Sequence, residues 1–195
     1  MVFYRLVLSL LLLTNYAFAD GPKMALEQDL PKRYGIRIND EIFPQSNPKE
    51  TLTSVLKAIQ KDRLDYLTAI LIEPKYIDDQ FAISYPTFEQ KTKVMVDREN
   101  LESKGYDVGF VRTRIKTLAT YANFHYLVTR VNKKLALDPD SISDLRLILN
   151  EGDFQEAGDE CVARHKSLLD RAAYFKRVGT RWHLMNKMQD EAKQP

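Results

Sequence analysis

Residues 160–187 read ECVARHKSLLDRAAYFKRVGTRWHLMNK, and here the apolar side chains return at every second position. A period of two marks a half-buried strand, because successive side chains of an extended chain point to opposite faces. Together with the preceding Phe154, the stretch predicts four strands: one near Phe154, then Glu160–Ser167, Arg171–Arg177 and Thr180–Lys187. Gly158, Asp170 and Gly179 punctuate short connections, so the strands form an antiparallel meander. Alternation assigns the faces. Cys161, Ala163, His165, Ala173, Phe175, Trp182 and Leu184 fall on one side, the expected buried face. Arg164, Lys166, Tyr174, Lys176, Arg181 and His183 fall on the other, which a one-sided sheet leaves to solvent.

Working back from the sheet, the chain turns helical. Asn47-Pro48-Lys49-Glu50 is a helix start: Asn47 can accept from exposed amides, Pro48 suits the first turn, and Glu50 can close a capping box. Leu52, Val55, Leu56 and Ile59 then follow at helical spacing. Asp62 is the expected cap of a second short helix carrying Leu64, Tyr66, Leu67, Ile70 and Leu71, which Pro74 stops. Residues 75–87 have no decisive period. Thr87 to Ser103 reads as helix, with Gly105 as terminator. Near the sheet, a short helix from Ser141 to Leu149 is expected, capped by Asp140 or Ser141 and ended by Gly152.

Val108 to Leu137 contains six basic residues and no acid. On a helical wheel Arg112, Lys116, Asn123, Arg130 and Lys134 line one stripe. Val111, Ile115, Leu118 and Ala122 lie to one side of it, and Phe124, Val128, Val131 and Leu135 to the other. Either the helix breaks near Asn123, or it is buried on two flanks with a basic ridge between them. Arg112, Lys116, Arg130 and Lys134 are therefore the candidates for meeting an anionic partner, such as a membrane surface or acidic glycan.

The fold class is α+β: amino-terminal helices packed on a carboxyl-terminal antiparallel meander of about four strands, cone-like in shape. Phe175-Lys176-Arg177-Val178-Gly179-Thr180-Arg181-Trp182-His183-Leu184, a basic strand followed by a tight Gly turn and Trp-x-Leu, resembles the nuclear-transport-factor-like, or SnoaL-like, superfamily. Pro48-Lys49-Glu50-Thr51-Leu52, Asp65-Tyr66-Leu67 and Glu73-Pro74 add to the likeness, which resembles exported, uncharacterised members of the group. The likeness covers residues 47–74 and 150–187, while residues 88–137 depart from the compact pattern. The resemblance implies a scaffold hosting isomerases, dehydratases, cyclases, transport factors and non-catalytic accessory domains, so it implies no single activity. It also implies that an active site would lie inside the sheet's concave face. His165 is the one ionisable side chain that parity places there, making it the weak candidate for acid/base work. Phe175 and Trp182 are its fellow candidates for lining a ligand pocket.

Other features bound the function. Arg5, then an eight-residue apolar run from Leu6 to Leu13, then Ala17-Phe18-Ala19 read as a secretory signal at residues 1–19, cleaved after Ala19. The run is too short to span a bilayer, which needs ~20 apolar residues. The mature protein is expected to be secreted or periplasmic. Residues 20–46 read mostly as linker, with Ile36, Ile38, Ile42 and Phe43 docking on a single domain spanning residues 47–190. Removing Arg5 leaves 28 of the 29 basic residues against 27 acids, a net charge near +1. That balance disfavours a dedicated nucleic-acid binder. Cys161 is the only cysteine, so no intrachain disulfide can form and the fold rests on its apolar core. No nucleophile elbow, phosphate-cradling glycine loop or His-Glu-x-x-His pair occurs. No cofactor or metal is expected, since His165 and His183 belong to opposite faces. The expected role is an exported, non-catalytic binding or accessory domain of the cell envelope. The alternative is a small pocket enzyme, an isomerase or hydrolase, using His165. Partners left open are a small apolar ligand, an envelope protein, a membrane surface and a second copy of the chain.

Overall fold

The computed structural model describes residues 32–98, 108–135 and 138–187, all within one compact unit spanning Pro31–Pro195. The expected signal at residues 1–19, the first part of the expected linker, Ser103, Gly105 and Leu137 lie outside the described residues. The chain is α+β, with helices leading into a four-stranded antiparallel sheet in the order β3-β4-β5-β6. Its strands are β3 (Asp153–Ala157), β4 (Glu160–Arg164), β5 (Ala172–Val178) and β6 (Arg181–Leu184). Cys161 faces Phe175, Ala163 faces Ala173, and Phe175 faces Leu184 across the sheet. His165 lies just past the end of β4, in the turn rather than in the strand.

Before the helices stands a small hairpin, β1 (Lys32–Arg33) and β2 (Ile36–Arg37). Its two-residue turn puts Tyr34 and Gly35 at φ 54° and 82°, the left-handed pair that matches strand twist. The stretch expected to be mostly linker is thus folded onto the body from Lys32 onward. Tyr34, Ile36 and Ile38 pack against the core, Phe43 is buried within it, and Ile42 stays exposed.

Helix α1 (Pro48–Gln60) begins as its sequence indicates, with Asn47 Oδ1 accepting from the Glu50 N–H at 2.8 Å. Glu50 does not close the box on Asn47. Its carboxylate takes the Ser46 hydroxyl and N–H instead. Asp62 is not the cap of the next helix. It sits at φ 53°, with its N–H on the Ile59 carbonyl and that of Arg63 on the Ala58 carbonyl, and so finishes α1 in a Schellman turn. Helix α2 is α-helical at Leu64–Tyr66 and π-helical at Leu67–Leu71. Ile72 then bridges Leu184, and Pro74 opens a helix rather than only stopping one: α3 runs Pro74–Arg98, through the stretch that lacked a clear period. Helix α4 (Val108–Leu135) is unbroken at Asn123. Helix α5 (Pro139–Glu151) starts earlier than expected, capped by Asp138, whose carboxylate accepts from the Asp140 N–H and the Ser141 hydroxyl. It ends at Gly152, where a Cβ would sit 2.3 Å from the Ile148 carbonyl oxygen.

Leu52, Val55 and Ala58 of α1, Leu67 and Leu71 of α2, and Leu145 and Ile148 of α5 form one buried cluster with Cys161, Ala163, Phe175, Trp182 and Leu184 of the sheet. Helix α3 packs along α4, and Ile77 of α3 with Phe124 and Leu127 of α4 joins the same cluster.

Candidate functional site

Three places carry the residues singled out by the sequence. The first is the inner face of the sheet. Phe175 and Trp182 lie on it as parity requires, and both are buried among helix side chains. Cys161 and Ala163 are small, and the helices close over them. Burial, with Glu156 and Asp153 nearby, pushes the Cys161 thiol up to about 11, so it stays protonated and unreactive at neutral pH.

His165, 8 % exposed, stands at the rim of this face. The Ser167 N–H donates to its Nδ1 at 3.2 Å, and the Ser167 hydroxyl lies 2.7 Å from the same nitrogen. An accepting Nδ1 leaves the ring hydrogen on Nε2, which faces the Glu151 carboxylate at 3.4 Å. The ring therefore ties the β4–β5 turn to the end of α5. Serine, imidazole and carboxylate stand in line, which is also the order of a base-activated nucleophile.

The second place is α4. Arg112, Lys116 and Arg130 are exposed, and the Lys134 side chain lies outside the described residues. The continuous basic ridge, however, does not exist. Asn123, expected on the stripe, is 0 % exposed; its Nδ2 donates to the Phe81 carbonyl at 2.9 Å, and Ser84 Oγ donates to its Oδ1 at 2.6 Å. Among the described side chains of α4 the buried ones are Ile115, Ala119, Asn123, Phe124 and Leu127, and Ile115, Ala119, Asn123 and Leu127 form a row four apart. Four residues turn a helix about 40° past a full turn, so such a row winds round the axis, as a partner crossing at an angle requires. That row passes from one apolar flank to the other through Asn123. Helix α3 is seated there, between Lys116 and Arg130. Pro86 has no N–H for the carbonyl four residues before it, so this turn of α3 is short of donors, and Asn123 supplies one beside it.

The third place was invisible to alternation. Tyr174 and His183, assigned to the solvated face, are buried. A strap, Asn39–Ser46, crosses the edge of β6 beside His183, and Lys187 Nζ lies over the Tyr174 ring at 4.6 Å. Trp182 donates its N–H to the Gln45 carbonyl at 2.9 Å, and Gln45 Nε2 returns a bond to the Trp182 carbonyl at 2.7 Å. His183, 5 % exposed, places Nδ1 2.9 Å from the Ile70 carbonyl, one of those left over by the π-helical turn. Arg33 takes the neighbouring Ala69 carbonyl at 2.8 Å and the Pro74 carbonyl at 2.6 Å. Burial pulls His183 down to about 4; Arg33 and Arg181 push the same way, and the Ile70 carbonyl opposes them. His165 and His183 thus have different partners, and both are buried.

Among the described residues, no group of three or more His, Cys, Asp or Glu is placed to hold a metal ion, and no helix is long and apolar enough to cross a membrane. Comparison with protein families, with curated proteins and with solved structures finds no match to this chain.

Proposed function

We propose that this protein is an exported, non-catalytic binding or accessory domain of the cell envelope, built on a nuclear-transport-factor-like scaffold. One observation carries the reading: the sheet face that would line a reaction pocket is occupied by the protein's own helices. Phe175, Cys161, Ala163, Trp182 and Leu184 pack against Leu52, Val55, Leu145 and Ile148. The test is Ala163→Phe, beside Ala173 in the middle of the sheet. On a filled face the extra ring overpacks the core and lowers stability by about 1–3 kcal/mol or more in a urea titration. Unchanged stability would mean an open pocket and would overturn the reading. Export rests on the Arg5, Leu6–Leu13 and Ala17–Ala19 pattern, and amino-terminal sequencing of the mature protein should begin at Asp20; retention of Met1 would refute it.

A second reading, a small pocket hydrolase using His165 as acid/base, is favoured by the alignment of Ser167, His165 and Glu151. Covalent labelling of Ser167 by a fluorophosphonate, lost in His165→Ala, would support it. Absence of labelling in the folded protein would dismiss it.

A further inference from the structure

We propose that His183 is an acid-sensitive latch that holds the Asn39–Ser46 strap over the edge of β6, and that protonating it frees the strap while the rest of the domain stays folded. The latch is a cluster rather than one bond. Gln45 Nε2 reaches both the Trp182 carbonyl and, at 3.3 Å, the same Ile70 carbonyl that His183 holds, so strap, strand and π-helical turn meet at one point. The Gln45 Oε1 is buried there with no hydrogen-bond partner.

The charged groups around the ring are cations already committed to acids. Arg33, from the hairpin, is paired with Asp78. Arg181, on β6 itself, is paired with Asp40 of the strap. Lys176, the register partner of His183 on β5, faces Glu73 at 3.4 Å. A proton on His183 therefore adds a buried positive charge beside Arg33 and Arg181, and the carboxylates these face among the described residues, Asp78 and Asp40, are already paired with them. The strap is the piece that can yield. Besides the Gln45 cluster it joins the body through the buried Phe43 stacked on Tyr66, Asn39 on the Tyr66 hydroxyl, Lys57 on the Ile42 carbonyl, Ser54 on the Pro44 carbonyl, and Arg181 on Asp40, whereas the sheet itself is held by its own ladder. Local opening of a peripheral segment needs less free energy than unfolding the whole.

The sign follows from the titration. His183 held near 4 in place and near 6.5 when released favours the released state as pH falls from 6.5 to 4. Between pH 7 and pH 5 the opening equilibrium rises about 20-fold. Release frees the Trp182 N–H at the edge of β6, while the Trp182 carbonyl keeps the Thr51 hydroxyl at 3.3 Å and Leu184 keeps Ile72 and Glu73.

The chain carries its own reporters: Trp182 is its one tryptophan, and Glu41 sits exposed in the strap. The full mature protein is treated with a glutamate-specific protease at pH 7 and pH 5, with rates corrected by an unstructured glutamate peptide. Cleavage at Glu41 should be about 20-fold faster at pH 5, with a parallel change in Trp182 emission and unchanged far-UV circular dichroism. His183→Gln should abolish the pH step. If that variant does not fold, Asp40→Asn should speed cleavage at both pH values and keep the ratio. A step that persists in His183→Gln, a ratio lost in Asp40→Asn, no step in the wild type, or dichroism falling together with emission would each overturn the latch.

Discussion

Asn123→Ala removes the donor to the Phe81 carbonyl and the acceptor of the Ser84 hydroxyl in a seam closed to water. Two net hydrogen bonds at ~0.5–1.5 kcal/mol each, together with a small cavity, outweigh the ~0.5 kcal/mol that alanine gains in helix propensity. The expected loss is about 2–3 kcal/mol. For a domain of this size that lowers Tm by roughly 4–12 °C. Asn123→Leu refills the volume without supplying a donor, so its loss should fall between those of alanine and wild type. Urea titrations followed by far-UV circular dichroism report the helices, and Trp182 emission reports the sheet. An exposed asparagine would shift stability by no more than about 0.5 kcal/mol. A change that small for Asn123→Ala, or a leucine variant weaker than the alanine one, would refute the buried seam.

Two further outcomes follow from the core. Trp182→Ala should lower stability by about 3–5 kcal/mol, because the ring is enclosed beside Phe175 and Leu184 and the site cannot collapse around the loss; a change under ~1 kcal/mol in the same titration would show the ring to be exposed. Cys161 should resist iodoacetamide at pH 8 in the folded protein and react readily in urea, since the thiol is enclosed and held at about 11; mass spectrometry showing rapid alkylation of the native state would contradict this.

Much of the architecture was legible in residues 47–187. Period-two alternation between Phe154 and Lys187 predicted the strands, and all four pair in chain order. Asn47 before Pro48 marked α1, and the side chains placed inside the sheet at Phe175, Trp182 and Leu184 are buried. These features depend on backbone geometry within a few residues, and their hydrogen-bonding and side-chain periods are written locally. Elements without a steady period were harder to delimit. Pro74 and Pro86 obscured α3, and α5 took its cap from Asp138 rather than from Asp140 or Ser141.

Function-bearing detail depended on what each element meets. A helical wheel gives the relative phase of Arg112, Lys116, Asn123 and Arg130, but only the crossing of α3 decides that Asn123 is inside while Lys116 and Arg130 remain outside. Alternation likewise puts His183 opposite Trp182, and it cannot know that a strap without any period will cover that side. The contact that buries His183 joins Gln45 to Trp182 across 137 positions of chain. Local propensity sets which way a side chain points. Whether that direction leads to water or to protein is settled by the distant segment that docks there, because burial is a property of the assembled surfaces and not of the strand or helix alone.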